Sequence, residues 1–277
     1  MLNFNVDKEN CIKCGVCVSD CPAMIINMTD NGPIILPEKE NNCFKCQHCL
    51  AVCPVGAIAI LGVQPRESHP LTGELPSSEQ MEMLIKGRRS IRKYKDENLD
   101  PKLIQRLLDT AWYAPTGKNT KQVQLTVVDD REVMNQFRNK AMTALSRLTK
   151  EGKLPAGLEF FADMVNAWEK NHVDVIFRGA PHMLIASAPK NGVSPFPDCI
   201  IALSYFELFA QSLGIGTIWS GLARWTIAEL VPELRKDLGI PDDHIIGLVM
   251  PFGKPAVKYF RCVQHKTPHI VKVSRIQ

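Results

Sequence analysis

The chain has 277 residues, enough for about two domains that each bury a core. Hydrophobic residues make up 45% and charged residues 22%, which excludes disordered, collagen-like and low-complexity chains. Net charge is +4, yet residues 1–63 carry four Lys against six acids, so that stretch is net −2 and the rest +6; the excess is dispersed among mixed-sign segments, which argues against a nucleic-acid partner.

The opening residues, MLNFNVDKEN, have no basic stretch followed by an apolar one, so no export signal is read. The longest apolar runs, such as 181–189 and 245–252, are strand-sized and far short of the roughly 18 residues of a membrane span. A cytoplasmic protein without a membrane partner is expected. Of its 10 cysteines, eight fall between Cys11 and Cys53. In a reducing compartment clustered thiols point to metal ligation in preference to disulfides.

Residues 11–22 read CIKCGVCVSDCP and residues 43–54 read CFKCQHCLAVCP, an internal repeat at an offset of 32. Each copy is followed by a short apolar run, 24–28 and 57–63, that can pair as a small strand beside the cysteine loops. The spacing C-x2-C-x2-C-x3-C-P, twice over, is the bacterial ferredoxin run, in which the fourth cysteine crosses to the other cluster. On that rule Cys11, Cys14, Cys17 and Cys53 hold one 4Fe-4S cluster, and Cys43, Cys46, Cys49 and Cys21 hold the second. Structural zinc takes four ligands per site and leaves the third and fourth cysteines of each copy, at fixed spacing, unexplained. His48, inside the second run, reads as an exposed loop residue that tunes a cluster potential if it acts at all.

Residues 64–80 contain three prolines and little periodicity and read as a linker between a ferredoxin-like domain, 1–63, and a second domain, 81–277. The second domain alternates helices and strands. A helix over 100–114 has Asp100 as cap, Pro101 in its first turn and an apolar face from Leu103 to Trp112. Others are expected over 131–149 and 198–213, the latter apolar nearly all round and ended by Gly214. Strands are expected over 123–129, 182–188, 215–219, 245–252 and 270–273, giving an α+β or α/β domain. Trp112 and Tyr113 read as core closers. Cys199 and Cys262 read as buried structural thiols, and His172, His182 and His265 as isolated.

Residues 86–94, KGRRSIRKY, gather Arg88, Arg89, Ser90 and Arg92, forks and a hydroxyl suited to a phosphate. With APTGKNTKQVQ from Ala114 and LGIGTIWSG from Leu213, they resemble the nitroreductase family of FMN oxidoreductases over 81–277. That resemblance implies an α+β fold with a five-stranded, mostly antiparallel sheet flanked by helices, and a homodimer with FMN at the interface and exchanged C-terminal strands. It further implies phosphate binding by Arg88, Arg89, Ser90 and Arg92, with help from Lys266 or Arg261. Asn119 is implied at the flavin ring, with the backbone amides of Ser220 and Gly221 near N5. Lys121 and Gln122 stand where many members have Gln and Pro, and Ser220 where the best-known have Glu. Gly214-Ile-Gly216 lacks the third glycine of a dinucleotide fingerprint and follows a helix, so no Rossmann site is read.

The expected function is a flavin oxidoreductase in which two clusters pass single electrons to FMN for reduction of a small organic acceptor of nitro, quinone or enone type. The electron donor is expected to be an external ferredoxin or similar protein, or NAD(P)H. Two alternatives are an electron relay docking to redox partners and an NAD(P)H-driven flavin reductase.

Overall fold

The structure, a computed structural model, describes residues 1–71, 73, 75–266 and 268–276. Two compact units emerge: Met1–Leu75 with Thr116–Lys121, and Pro76–Pro115 with Gln122–Gln277. The first unit therefore runs past Val63. Part of the expected linker is built, as Pro65–Glu67 forms a 3-10 turn closed by the reciprocal bonds of Gln64 and Glu67.

In the first unit the elements are β1 (Asn5–Val6), α1 (Val16–Ser19), β2 (Ile26–Thr29), β3 (Gly32–Ile35), α2 (His48–Ala51) and β4 (Ile58–Ala59). Strands β1 and β4 pair antiparallel, as do β2 and β3. The apolar runs after each cysteine copy do form strands, but their partners lie outside the repeat. Asp30-Asn31-Gly32 supplies the turn that lets β2 fold onto β3, and Thr29 Oγ1 donates to the Gly32 carbonyl at 2.7 Å to close it. Leu2, Ile25, Ile26, Leu50, Ile58 and Ile60 make a small core around buried Cys17 and Cys49.

The second unit contains α3 (Ser78–Gly87), α4 (Pro101–Ala111), β5 (Gln124–Val128), α5 (Arg131–Lys150), α6 (Phe161–Asn171) and β6 (His182–Pro189). It continues with α7 (Pro195–Ser212), β7 (Gly216–Thr217), α8 (Gly221–Trp225), α9 (Leu234–Asp237) and β8 (His244–Gly253). Helix starts follow their caps: Ser77 with Gln80, Asp100 with Lys102 N–H, and Asp130 with the amides of Glu132 and Val133. Strands β5, β6, β8 and β7 lie in that order, every pair antiparallel. One core packs α5 and α6 on one set of sheet residues, including Met183 and Ile185. Another packs α4 and α7 on the alternate set, including Leu184 and Ala186.

The α+β class with an antiparallel sheet holds, and the strand count is corrected from five to four. Residues 270–273 are irregular and exposed, Val271 and Val273 each at 75%. A strand exists through its ladder, and among the described residues none pairs with this run. Trp112 and Tyr113 are also corrected: α4 ends at Ala111, and beyond its last turn both rings are exposed. Cys199 is fully buried, where Gly247 leaves room for its side chain; Cys262 is exposed. Among the described residues no helix is long and apolar enough to cross a membrane.

Candidate functional site

The first unit sorts its eight repeat thiols into two groups of four. Cys21, Cys43, Cys46 and Cys49 line one cavity, together with Pro22 and Phe44. Cys11, Cys14, Cys17 and Cys53 line another, with Val55 and Ile58 among its walls. The fourth cysteine of each copy thus sits with the first three of the other copy. This crossing follows from the fold: each short helix carries the third cysteine inward, and the chain leaves it toward the opposite cavity.

A zinc ion would require thiolates about 2.3 Å from one point. Among the described residues no three His, Cys, Asp or Glu side chains converge closely enough for a single ion. The thiols instead gather four to a group around two separate hollows, the donor set that a polynuclear iron-sulfur cluster takes. Burial pushes the Cys17 thiol up and the Cys49 thiol up to about 12. A bound metal reverses that preference, since its charge holds a thiolate against desolvation. Two amides already point at sulfur: Lys45 N–H at Cys43 Sγ, 3.3 Å, and Ala57 N–H at Cys53 Sγ, 3.2 Å. His48 is exposed as expected, although it opens α2 and lies 3.4 Å from an Asp20 carboxylate oxygen.

In the second unit, the arginine-rich segment is stitched beside β7. Ile91 N–H donates to the Thr217 carbonyl at 2.9 Å, and Ser90 bridges Thr217 in parallel. This approach needs Gly216, because a Cβ there would meet Ile91 Cγ1 at 2.5 Å. Tyr94 fixes the far end: its hydroxyl donates to Ile91 O at 2.9 Å and lies 3.3 Å from Pro251 O, and burial raises its pKa.

The four polar residues of the segment differ in their bonds. Arg88 Nη1 donates to Glu207 Oε1 at 3.2 Å, an oxygen that also accepts from Thr217 Oγ1 at 3.2 Å. Arg89 uses one terminal nitrogen on the Lys86 carbonyl, while its Nε is buried with no partner. Arg92 is exposed and donates to the Ser90 carbonyl at 3.2 Å. An unpartnered buried guanidinium nitrogen beside a hydroxyl and further cations fits an anionic oxygen such as a phosphate.

Ser220 N–H donates to the Val249 carbonyl at 2.9 Å; Ser220 Oγ donates to Ile176 O and caps α8 by accepting from Ala223 N–H. The expectation of two open amides is therefore corrected to one: Gly221 is exposed, and its N–H carries no hydrogen bond among the described residues. Arg261 and Lys266 lie in exposed irregular chain; Thr267, which follows Lys266, lies outside the described residues. Asn119 belongs to the first unit, where its amide donates to the Phe44 and Lys45 carbonyls. Sequence reasoning missed Glu207 and Tyr94. Glu207 had a legible signal, an acid inside the otherwise apolar stretch SYFELFA.

The antiparallel α+β sheet with an anion-ready arginine segment, in a chain that also carries two four-cysteine cavities, defines a flavin and iron-sulfur oxidoreductase. The nitroreductase family model matches residues 85–254 and the 4Fe-4S dicluster domain model residues 10–58, so the chain belongs to the nitroreductase family and its cofactors are FMN and two 4Fe-4S clusters. A putative NADH dehydrogenase/NAD(P)H nitroreductase of Methanothermobacter thermautotrophicus is 28% identical over 177 residues, covering 62% of this chain and 75% of that one. An iodotyrosine deiodinase of Danio rerio is 23% identical over 189 residues, 66% of this chain and 62% of that one. Among solved structures, an FMN-bound nitroreductase from Bacteroides fragilis superposes with a TM-score of 0.55 at 22% identity, over 70% of this chain and 99% of that one. That last likeness is one of fold.

Proposed function

We propose that this protein takes single electrons into its two clusters and passes them to FMN for the two-electron reduction of a small organic acceptor of nitro, quinone or enone type. When bound, the clusters exchange electrons singly and FMN delivers them as a hydride. Cys11, Cys14, Cys17 and Cys53 hold one cluster, and Cys43, Cys46, Cys49 and Cys21 the other. The observation that carries this reading is the sorting of all eight thiols into two four-cysteine cavities.

Arg89, Ser90 and Arg92 hold the FMN phosphate, with the buried Arg89 Nε as the group that most needs an acceptor. Arg88 works differently, since its pair with Glu207 locks the segment in place. Arg261 or Lys266 from the tail adds a further cation. The open Gly221 N–H donates to the flavin ring and favours negative charge there. A homodimer is part of the proposal: exposed Ile270, Val271, Val273 and Ile276 make an apolar tail suited to a strand ladder on a second copy. Ligation by reduced thiols suits the cytoplasm.

The relatives described as NAD(P)H nitroreductases support a second reading, in which NAD(P)H reduces FMN directly. The deciding experiment is anaerobic. Iron, sulfide and FMN are measured, followed by titration with a low-potential one-electron reductant and, separately, with NADH and NADPH. Cluster reduction followed by flavin bleaching supports the relay, with an external ferredoxin or similar protein as donor. Rapid bleaching by NAD(P)H while the clusters stay oxidised supports the second reading, and iron far below eight per chain overturns the ligand assignment.

A further inference from the structure

Two carbonyls of the loop between Cys43 and Cys46 are held by a side chain from another part of the same unit. Asn119 Nδ2 donates to Phe44 O at 3.0 Å and to Lys45 O at 3.1 Å. The Phe44 carbonyl is one end of a peptide group whose other end is Lys45 N–H, and that N–H donates to Cys43 Sγ. Side-chain amide, peptide and sulfur therefore form one continuous run of hydrogen bonds. Each member of such a run polarises the next, so an amide drawing on the carbonyl makes the N–H a better donor to sulfur.

The internal repeat supplies a comparison within the molecule. Ile12 and Lys13 stand at the positions equivalent to Phe44 and Lys45, and the backbone matches, with φ of 53° at Lys13 and 54° at Lys45. Yet among the described residues no side chain donates to the Ile12 or Lys13 carbonyl, Lys13 N–H makes no bond to Cys11 Sγ, and Ile12 is 62% exposed. The donor segment is itself unusual: Lys118, Asn119 and Lys121 all have left-handed φ, at 49°, 53° and 50°. Non-glycine residues keep such values where surrounding contacts hold them, and Asn accepts them better than most.

We propose that Asn119 is a positioning residue for the second cluster, strengthening the Lys45 N–H···Cys43 Sγ bond and so raising the reduction potential of the cluster held by Cys43, Cys46, Cys49 and Cys21. Hydrogen bonds to cluster sulfur stabilise the extra negative charge of the reduced form, which sets the direction. The first cluster, whose equivalent loop has no such donor among the described residues, is unaffected. This inference rests on the ligand assignment proposed above.

The test is an anaerobic redox titration followed by electron paramagnetic resonance on the full-length protein, with the two signals assigned through Cys14→Ser and Cys46→Ser. Asn119→Gly removes the donor and tolerates the left-handed backbone. With eight irons retained, its second-cluster potential is expected to fall while that of the first stays put, and Asn119→Gln, which keeps the amide, should lie nearer the wild type. An unchanged second cluster in Asn119→Gly, or equal shifts in both, overturns the proposal. If the glycine protein loses iron, the comparison moves to Asn119→Ser, whose shorter hydroxyl cannot span to both carbonyls; there too the second cluster must shift alone. Wild-type protein without iron defeats the ligand assignment itself, a separate and distinguishable failure.

Discussion

Arg88 and Glu207 lie 119 positions apart in the chain and meet through Nη1 and Oε1 at 3.2 Å, with the carboxylate almost wholly buried on α7. Thr217 shares that oxygen, so the one acid ties the arginine segment to both the central helix and β7. Removing the charge while keeping the shape leaves a partly buried guanidinium short of its partner. Glu207→Gln is expected to lower unfolding free energy by about 1–3 kcal/mol, measured by denaturant titration. An unchanged midpoint would mean that the pair contributes nothing to the native state.

Arg89 is the segment's best candidate for direct contact with phosphate. Its buried, unpartnered Nε predicts that Arg89→Ala weakens FMN binding by about 10- to 100-fold, the equivalent of a lost charge-assisted hydrogen bond. Iron content should not change. Fluorescence titration of the FMN-stripped protein measures the first, and a chelator assay for iron the second.

Gly216 controls the same segment by steric means. A methyl group there would overlap Ile91, so Gly216→Ala must push residues 88–92 away from β7. Overpacking of this kind costs about 1–3 kcal/mol. Reduced FMN retention through gel filtration together with a lower thermal midpoint is the expected result; retention at the wild-type level would show that the segment is not part of the flavin site.

His182 predicts a pH dependence. It is fully buried at the start of β6, accepts the Leu99 N–H on Nε2 at 2.9 Å, and leaves Nδ1 unpartnered. Burial lowers its pKa below 6.5, against the opposing pull of Asp129 and Asp130. The unfolded chain thus binds a proton that the folded chain resists, so stability present above pH 6.5 is lost as pH falls below it, by at most about 1.4 kcal/mol per pH unit. Denaturation midpoints at pH 7.5 and 5.5 should differ less in His182→Gln than in wild type; parallel profiles would assign the dependence elsewhere.

The cysteine assignment is tested one cavity at a time. Cys14→Ser should reduce iron from about eight to about four per chain, and Cys46→Ser should do the same while removing the other cluster's spectrum. FMN content is expected to persist in both. Loss of flavin along with either cluster would show that the two units depend on each other to fold.

Much of this molecule is local and therefore legible in the chain. The doubled cysteine spacing specified which thiols share a cavity, because short loops of set length leave few ways to aim three sulfurs at one point. The cap at Asp100 and the apolar periods over 100–114 and 131–149 located α4 and α5, since helix signals act over three or four residues. The arginine cluster and the glycines around β7 were visible for the same reason.

What only the tertiary structure decided involves partners distant in sequence. Residues 270–273 look like a strand, but a strand needs a neighbour, and pattern alone does not supply one. Ser220 looked available until the sheet brought Val249 to its amide. Glu207, an acid in an otherwise apolar helix, was passed over in the sequence, and only packing showed that it answers Arg88. Asn119 is the clearest case: its sequence context points to a flavin, whereas the fold places its amide on the carbonyls of a cysteine loop more than 70 residues away. Side-chain chemistry is written in the sequence; which group each side chain meets is settled when the chain closes long loops and every buried donor has to find an acceptor.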